Sequence, residues 1–323
     1  MKKPLFFSLI LACTLLAGCG TANKGTSSNG QILRTNRIRT ELVNPNSREV
    51  LVAMHRGDWR NYPENSLPAI ESAISMGVDI MELDVKMTSD GALVLCHDNT
   101  VDRTTTGKGP VSYYTLDSLK RLRLLRAHGV NTDSTRMPTL EEAFRLCKDR
   151  IMVNVDGGFQ WYNHVMELAR KVGVEDQIIM KSNQSKTVVD ATLAKFGDDV
   201  IFMPIIGIAA DGSCPLLDEY LASGDVPIIF ECCFSKDTPA VATRIKQIRD
   251  AGSKVWINSI WGSLCGYHDD DKAYQSKADA DREYGRLLEM GANVLQSDRA
   301  DFTIGWLHKH HKHPAPPKQS KHY

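Results

Sequence analysis

The chain has 323 residues, of which 42% are hydrophobic and 24% are charged, which is ordinary for a globular protein and sufficient for a sizeable core. Its length accommodates one large domain or two smaller ones. Because 39 basic and 39 acidic residues give a formal net charge of zero, the composition argues against a nucleic-acid-binding protein.

The amino terminus has the pattern of a targeting segment. Lys2 and Lys3 precede an apolar run, residues 5–16, that is short for a membrane span and typical of a signal peptide. The tetrapeptide that ends it, Leu-Ala-Gly-Cys at 16–19, resembles the bacterial lipobox. We expect residues 1–19 to be a lipoprotein signal peptide with Cys19 as the lipidated residue, in an exported protein anchored to the cell envelope. The alternative is a secreted protein in which Cys19 is incidental.

The segment after Cys19 is rich in Gly, Ser, Thr and Asn and poor in apolar residues, which predicts a flexible tether over residues 20–47. The last residues of the chain, 307–323, are rich in His, Lys and Pro. A disordered tail is the preferred interpretation of residues 307–323, and transition-metal binding by the histidines is the alternative.

Between these ends, apolar strand-like runs alternate with helical patterns. The predicted strands are Val50–Met54, Val78–Val85, Ile151–Val155, Gln177–Lys181, Val200–Pro204, Pro227–Glu231, Lys254–Asn258 and Asn293–Gln296. The predicted helices are Ser66–Met76, Thr139–Lys148, Tyr162–Val172, Lys186–Lys195, Pro215–Ser223, Pro239–Ala251 and Ala278–Met290. Eight strands with intervening helices favour an α/β fold, a (β/α)8 TIM barrel over residues 48–306, rather than an open doubly wound sheet.

The alternation is interrupted between residues 99 and 137, after an additional short strand at Leu93–His97. A short amphipathic helix is expected there at Leu116–Leu125. In a barrel, this insertion would overhang one end and either help to form the mouth of a pocket or remain a surface excursion.

The remaining six cysteines, from Cys96 onward, show no Cys-x-x-Cys pairing, so a structural zinc site is not expected. An exported protein can form disulfides, but the scatter of these cysteines over predicted strands and helices favours mostly buried free thiols.

Polar side chains stand where several predicted strands end, which is where barrel enzymes place their sites. Glu82 and Asp84 are two residues apart on one strand, so both point to the same face. A buried carboxylate pair is costly unless it is protonated or binds a cation, and oxygen ligands favour Ca²⁺ or Mg²⁺. The alternative is a pair of carboxylates that only form a salt bridge with Arg56.

Four motifs follow one another in this region: His55-Arg56-Gly57, Pro63-Glu64-Asn65, Glu82-Leu83-Asp84 and His97-Asp98. In order and spacing they resemble the glycerophosphodiester phosphodiesterase family, within the phospholipase-C-like phosphodiesterase barrels. The resemblance implies metal-dependent hydrolysis of glycerophosphodiesters to sn-glycerol 3-phosphate and an alcohol. It implies that His55 and His97 form an acid/base pair and that Arg56 contacts the phosphate. It also implies that Glu82, Asp84 and a third carboxylate, here Asp156, bind the divalent cation.

Two positions depart from the family pattern. Asp156 stands where the family has a Glu, and Gly158 stands where it has a Lys, which puts phosphate binding in doubt. Lys181, at the end of the next strand, could supply the missing charge or be an ordinary strand-end lysine. Glu64 could approach the metal, orient Arg56 or simply begin a helix. We expect Asp298 to hold the last strand end as a structural residue.

The long loop after the seventh strand carries aromatic residues, and we expect Trp256 and Asn258 to contact the substrate. Two other functions stay open: a lyase or phospholipase of the same fold acting on another phosphodiester such as a phosphoinositide, and a non-catalytic envelope lipoprotein that binds a phosphorylated ligand. The expected partners are a small-molecule phosphodiester and, through Cys19, a membrane. No protein partner and no nucleic acid are expected.

Overall fold

The computed structural model of the protein describes residues 34–126, 130–131, 135–197 and 200–314. The predicted signal peptide, Cys19, the first part of the predicted tether and residues 315–323 lie outside the described residues.

Eight parallel strands form a closed barrel, in which the first strand pairs with both the second and the last. In chain order, and including three short strands outside the barrel, the strands are β1 Leu51–His55, β2 Ile80–Met87, β3 Leu93–Leu95, β4 Leu125–Arg126, β5 Val130–Asn131, β6 Met152–Asp156, β7 Ile178–Ser182, β8 Ile201–Gly207, β9 Ile229–Cys233, β10 Lys254–Asn258 and β11 Val294–Ser297. Of these, β3 adds antiparallel to β2, and β4 and β5 form a separate hairpin.

Helices alternate with the barrel strands. They are α1 Arg34–Val43, α2 Leu67–Met76, α3 Leu116–Arg121, α4 Leu140–Cys147, α5 Tyr162–Val172, α6 Lys186–Phe196, α7 Pro215–Ser223, α8 Pro239–Asp250, α9 Asp270–Ala273, α10 Lys277–Met290 and α11 Ala300–Lys309. The predicted (β/α)8 TIM barrel is therefore confirmed. The predicted strands and helices match observed ones, with ends that differ by a few residues.

The barrel interior changes character along the strands. Alternate residues of each strand point inward. At the amino-terminal end these are apolar, as in Ile80, Met152 and Ile179, which are fully buried in one cluster with Trp256. Two residues further along, the inward side chains are polar. The barrel interior is therefore packed with apolar side chains at one end and lined by polar side chains at the other.

Helix α1 closes the apolar end of the barrel. A flexible tether was predicted over residues 20–47, so a docked helix at Arg34–Val43 differs from that prediction. Ile38 and Leu42 are fully buried in the same cluster as the inward side chains of the strands. Only these two apolar side chains of α1 are buried, within the polar sequence RTNRIRTELV. The helix is thus held by contacts with distant strands, which a local composition argument misses.

The carboxyl-terminal end also differs from the prediction, which placed a disordered tail over residues 307–323. Within the described part, α11 continues to Lys309, and the His313 side chain is buried against Asp79. The backbone N–H of Val50 donates to the carbonyl of Lys312 at 2.7 Å, so this segment is tied to the start of β1.

The insertion after β3 has its own small core. Apolar side chains from β3, α3 and the connecting loops pack together: Val94, Cys96, Val101, Val111, Leu119, Leu124 and Met137. The predicted helix at Leu116–Leu125 ends earlier, at Arg121, and the chain then enters β4. A core of its own fixes the insertion against the barrel.

The six cysteines from Cys96 onward are free, and all but Cys233 are buried, as predicted. None of the helices in the described part of the chain is both long enough and apolar enough to cross a bilayer.

Candidate active site

The turn that follows β1 brings the first motif to the polar end of the barrel. Arg56 and Gly57 both have a left-handed backbone, with φ of 56° and 77°. A Cβ at Gly57 would lie 2.8 Å from the Cβ of Ala69, so the turn requires glycine on two grounds. In this conformation the Arg56 N–H donates to Glu82 Oε2 at 3.0 Å. The motif therefore couples the end of β1 directly to the first carboxylate.

Three carboxylates meet at the ends of β2 and β6. Asp84 and Asp156 are register partners across the two strands, and Glu82 lies one inward position below Asp84. Oxygen atoms of all three lie within 4.8 Å of one another. Glu82 and Asp84 are buried and Asp156 is half-buried. The structure thus brings together the three residues that the sequence proposed as ligands.

The protein contacts of this cluster leave room for a cation. Glu82 Oε2 accepts from the Arg56 backbone, and Asp84 Oδ2 accepts from Asn65 Nδ2 at 2.8 Å and lies 3.2 Å from Arg56 Nε. Glu82 Oε1 and Asp84 Oδ1 have no protein donor among the described residues. Burial, reinforced by the charge of Asp84, raises the pKa of Glu82 well above its usual value. A divalent cation would relieve this repulsion, so the all-oxygen donor set fits a hard metal ion.

Asn65 has a role that sequence reasoning missed. It does not cap α2, because Ser66 holds the N-cap position of that helix. Asn65 instead forms two hydrogen bonds with Asp84: its amide donates to the carboxylate, and its amide oxygen accepts from the Asp84 backbone N–H at 3.1 Å. The left-handed backbone at Asn65, with φ of 55°, makes this possible. Asn65 therefore fixes one oxygen of a candidate ligand.

Lys181 lies beneath the carboxylates rather than in open space. Its Nζ is 2.9 Å from Asp156 Oδ2 and 3.2 Å from Glu231 Oε2, and the side chain is buried. Burial alone would lower the pKa of Lys181, but Glu231, Asp156 and Glu82 raise it well above its usual value. Lys181 is thus a fixed cation. Burial alone would raise the pKa of Asp156. The charge and hydrogen bond of Lys181 outweigh burial, so the pKa of Asp156 is lowered.

The Gly158 departure has a steric explanation. A Cβ there would lie 2.6 Å from Cγ1 of Val155, so this backbone leaves no space for any side chain. The ammonium group next to Asp156 comes from the neighbouring strand, through Lys181.

Trp256 and Asn258 do not lie where substrate contact was predicted. Trp256 is fully buried in the apolar end of the barrel, and its Nε1 donates to Asn258 Oδ1 at 2.7 Å. Asn258 Nδ2 in turn donates to Glu231 Oε1 at 2.8 Å. Asn258 thus holds Glu231, which contacts Lys181, and Trp256 in turn holds Asn258. The prediction placed them at the surface of the pocket because strand-end position alone does not show depth.

His55 is buried and oriented by Asp298. Its Nδ1 lies 2.9 Å from Asp298 Oδ1, and the same oxygen accepts from Trp59 Nε1 at 2.7 Å. The Trp261 ring meets the His55 ring edge-on, with 5.5 Å between centroids. Asp298, expected to be structural, therefore also contacts the candidate acid/base residue. The sequence signal for Asp298 was its position after the last strand. Trp59 and Trp261 carried no comparable signal.

His97 occupies a more open position. Its side chain is 46% exposed, and Nδ1 lies 2.7 Å from Asp98 Oδ1. Asp98 also accepts from Arg103, which reaches across to Glu64. Glu64 accepts from Arg56 Nη1 at 3.2 Å as well. Burial favours a raised pKa at Glu64, but bonds from Arg103 and the charges of Arg56, Arg103 and His97 lower it. Glu64 therefore links the two histidine motifs through arginines, and is not part of the three-carboxylate cluster.

A cavity of about 510 Å³ opens at this end of the barrel beside His55 and Arg56, and neither the three carboxylates nor His97 lines it. Its walls include His55, Arg56 and Asp298 from the strand ends, and Trp59 and Trp261 from the adjoining loops. Glu64 and the insertion residues Arg103, Thr104, Leu125 and Arg126 complete it. The insertion thus does form part of the pocket mouth, the first of the two possibilities raised by its sequence.

A closed parallel barrel with acid/base candidates and a carboxylate cluster at the carboxyl ends of its strands places the candidate site where barrel enzymes have theirs. Residues 55–198 match the model of the glycerophosphoryl diester phosphodiesterase family, and residues 202–307 match a domain of unknown function. The match over residues 55–198 confirms the resemblance to the glycerophosphodiester phosphodiesterase family that the four motifs carried.

Named relatives match this chain over less than half of its length. A glycerophosphodiester phosphodiesterase of Caldanaerobacter subterraneus is 39% identical over 141 residues, which cover 42% of this chain and 58% of the relative. The mouse glycerophosphodiester phosphodiesterase 1 is 40% identical over 113 residues, 34% of each chain. The chain thus spans less than two thirds of the length of these relatives.

Solved structures share the whole barrel. A glycerophosphoryl diester phosphodiesterase from Parabacteroides distasonis has a TM-score of 0.70 at 22% identity, covering 89% of this chain and 95% of its own. A phosphodiesterase from Oleispira antarctica, solved with the product sn-glycerol-3-phosphate, has a TM-score of 0.59 at 20% identity, covering 80% of this chain and 96% of its own. At these identities the likeness shows the fold.

Proposed function

We propose that the protein hydrolyses glycerophosphodiesters to sn-glycerol 3-phosphate and an alcohol in a metal-dependent reaction. The observation that carries the proposal is the cluster of Glu82, Asp84 and Asp156 at the same barrel end as His55, whose Nδ1 is held by Asp298. A binding protein needs no oriented imidazole beside a cation site. The family and the named relatives support the same reaction.

In this proposal each residue has a defined task. With Nδ1 engaged by Asp298, His55 presents Nε2 as the nitrogen that exchanges a proton at the reacting phosphodiester. His97, anchored by Asp98, carries the second proton transfer. One imidazole takes the proton of the attacking oxygen and the other gives a proton to the leaving alkoxide. Arg56 offers its guanidinium to the phosphate oxygens.

Glu82, Asp84 and Asp156 would hold the divalent cation, for which we propose Ca²⁺ or Mg²⁺ on the basis of the oxygen-only donor set. When bound, the cation supplies neutralisation of the phosphate charge. Lys181 limits the net negative charge of the cluster and holds Asp156 in place.

The test is release of glycerol 3-phosphate from glycerophosphocholine, glycerophosphoethanolamine and glycerophosphoinositol, with Ca²⁺, Mg²⁺ or chelator. His55→Ala, His97→Ala and Glu82→Gln are the test variants. Their matched controls are His164→Ala and Glu167→Gln, which change exposed residues of α5. We expect metal-dependent release that falls by about 100-fold or more in each test variant and is unchanged in the controls.

Two results would contradict the proposal. Absence of release from all three diesters by folded wild-type protein, with either metal, would favour another phosphodiester or a non-catalytic binder. Full activity in chelator would remove the metal from the reaction.

We further propose that the protein is exported and anchored to the envelope by a lipid on Cys19. The support is the sequence alone, a basic start, an apolar run and the Leu-Ala-Gly-Cys motif. In bacterial cells fed a labelled fatty acid, the wild-type protein should carry label and sediment with membranes, whereas Cys19→Ala should do neither. Label retained in Cys19→Ala would disprove lipidation at this residue.

A further inference from the structure

The insertion carries a net positive charge, and two of its arginines line the cavity. Residues 99–137 contain seven Lys and Arg, three Asp and no Glu, a net charge of +4 in a chain whose total is zero. Arg103 and Arg126 from this segment line the cavity directly. Because a cleft edged by one sign of charge raises the local concentration of ligands of the opposite sign, the mouth favours anions.

The carboxylates around the cavity are already engaged. Glu64 accepts from Arg56 and from both terminal nitrogens of Arg103. One oxygen of Asp298 accepts from Trp59 and meets His55. Each of these lining carboxylates is therefore balanced by donors from the protein.

Arg126 differs from the other two arginines of the cavity. It is exposed at the end of β4, and no carboxylate of the described residues pairs with it. Arg56 and Arg103, by contrast, each form salt bridges. Among the described residues, Arg126 is thus the arginine of the cavity lining whose charge no carboxylate balances.

Trp59 and Trp261 do not reverse the preference of the cavity mouth for anions. A quaternary ammonium group is held by exposed aromatic faces, usually with a free carboxylate nearby. Arg60 already lies over the ring of Trp59, 4.7 Å from its centroid, and Trp261 meets His55 edge-on. Arg60 therefore already occupies the position over Trp59 that a cationic head group would take.

We propose that Arg126 makes the site selective for glycerophosphodiesters whose alcohol carries a further negative charge, such as a phosphorylated polyol. The inference rests on the proposed function, in which Arg56 and the carboxylate cluster fix the scissile phosphate inside the barrel end. The alcohol then extends outward, between the tryptophans and the insertion, to Arg126.

The experiment compares glycerophosphoinositol 4-phosphate with glycerophosphoinositol, which differ only in the extra phosphate, and adds glycerophosphocholine as the cationic substrate. The variants are Arg126→Gln and Arg126→Glu. Arg121→Gln is the matched control, because Arg121 is an exposed arginine of the same insertion that pairs with Asp117 and does not line the cavity.

For the wild type we expect kcat/KM for the phosphorylated substrate to exceed that for glycerophosphoinositol by about tenfold at low salt, and glycerophosphocholine to be the poorest substrate. The ratio should fall to about one in Arg126→Gln and below one in Arg126→Glu, mainly through KM. It should stay at the wild-type value in Arg121→Gln.

Failure of the inference is distinct from failure of the proposed function. Turnover of glycerophosphodiesters with a ratio that is near one, or that Arg126→Glu leaves unchanged, would overturn the selectivity and leave the hydrolase standing. Absence of turnover with all three substrates would overturn the proposed function and the selectivity with it.

Discussion

Asp298 contacts the imidazole of His55, the candidate acid/base group, through a single oxygen. Oδ1 lies 2.9 Å from His55 Nδ1 and also accepts from Trp59. Asp298→Asn keeps the shape but can present an amide N–H to Nδ1, which favours the wrong tautomer. We expect kcat to fall by about 100-fold with little change in KM.

Steady-state kinetics on glycerophosphoinositol check this prediction, with Asp301→Asn on α11 as the control for an exposed carboxylate. Wild-type kcat in Asp298→Asn would show that Asp298 is only structural, as its sequence position suggested.

Asp270 is a second buried carboxylate, one layer behind Asp298. It accepts from Ser259, Tyr284, Ser297 and the Asp298 backbone N–H. Burial, assisted by the charge of Asp298, outweighs these bonds and raises the pKa of Asp270 to about 7. Its carboxyl therefore holds its proton more tightly in the folded than in the unfolded state. The associated stability is fully present below the ordinary value of 3.8 and is lost as the pH rises through about 7.

Asp270→Asn tests this assignment, since an amide does not titrate. The free energy of unfolding of the wild type, taken relative to Asp270→Asn, should decrease as the pH rises from about 4 to about 7. Denaturant unfolding over this range measures the difference. A difference that does not change with pH would show that Asp270 does not titrate there.

The local motifs explain how much of the site the sequence could predict. Glu82 and Asp84 share a strand face at a spacing of two, and His55 follows the strand beside them, so their proximity follows from strand geometry. The contacts of Asp298 with His55 and Trp59 join residues more than 200 positions apart, and the depth of Trp256 depends on barrel packing. Neither has a local signal.

At the scale of elements, the barrel strands have a local sequence signal, whereas α1 depends on contacts with distant residues. The barrel strands are buried on both faces and read as apolar runs, so their existence and order could be predicted. Helix α1 has only Ile38 and Leu42 to mark its buried face. Its stability comes from docking on the barrel end, where both side chains join the inward-facing cluster.

This docking predicts a large effect of small truncations in α1. Ile38→Ala and Leu42→Ala should each lower the free energy of unfolding by about 2–4 kcal/mol, because each opens a cavity in a packed barrel end. Val43→Ala, at a side chain that is 41% exposed on the same helix, should cost far less. Equal effects at Leu42 and Val43 in denaturant titrations would show that α1 is a loosely attached tether.

At the scale of the whole molecule, both ends of the described chain meet at Asp79 beneath the barrel. His313 Nε2 lies 2.7 Å from Asp79 Oδ2, which also accepts from the Val52 backbone, and Arg37 Nη2 of α1 donates to Oδ1 at 3.0 Å. The candidate site and this junction occupy opposite ends of the barrel. The junction therefore contributes to stability without contacting the candidate site.

The junction has a defined pH range. Burial would lower the pKa of His313, but the hydrogen bond and the charge of Asp79 raise it. The contribution of His313 to the free energy of unfolding is therefore complete below pH 6.5, the ordinary pKa, and is lost as the pH rises through the raised pKa. Burial would raise the pKa of Asp79, but His313 and Arg34 lower it, so its contribution is complete above 3.8 and is lost on acidification below that value. Both contributions are complete only between pH 3.8 and pH 6.5.

His313→Gln should therefore lower the free energy of unfolding by about 2–3 kcal/mol near pH 5, and by less as the pH rises above the titration of His313. The exposed His164→Gln serves as control. Thermal unfolding at a series of pH values measures the effect, while activity per folded molecule should stay at the wild-type level because the junction lies at the far end of the barrel. A deficit in His313→Gln that is the same at every pH would mean that packing, and not the ion pair with Asp79, holds the two ends together.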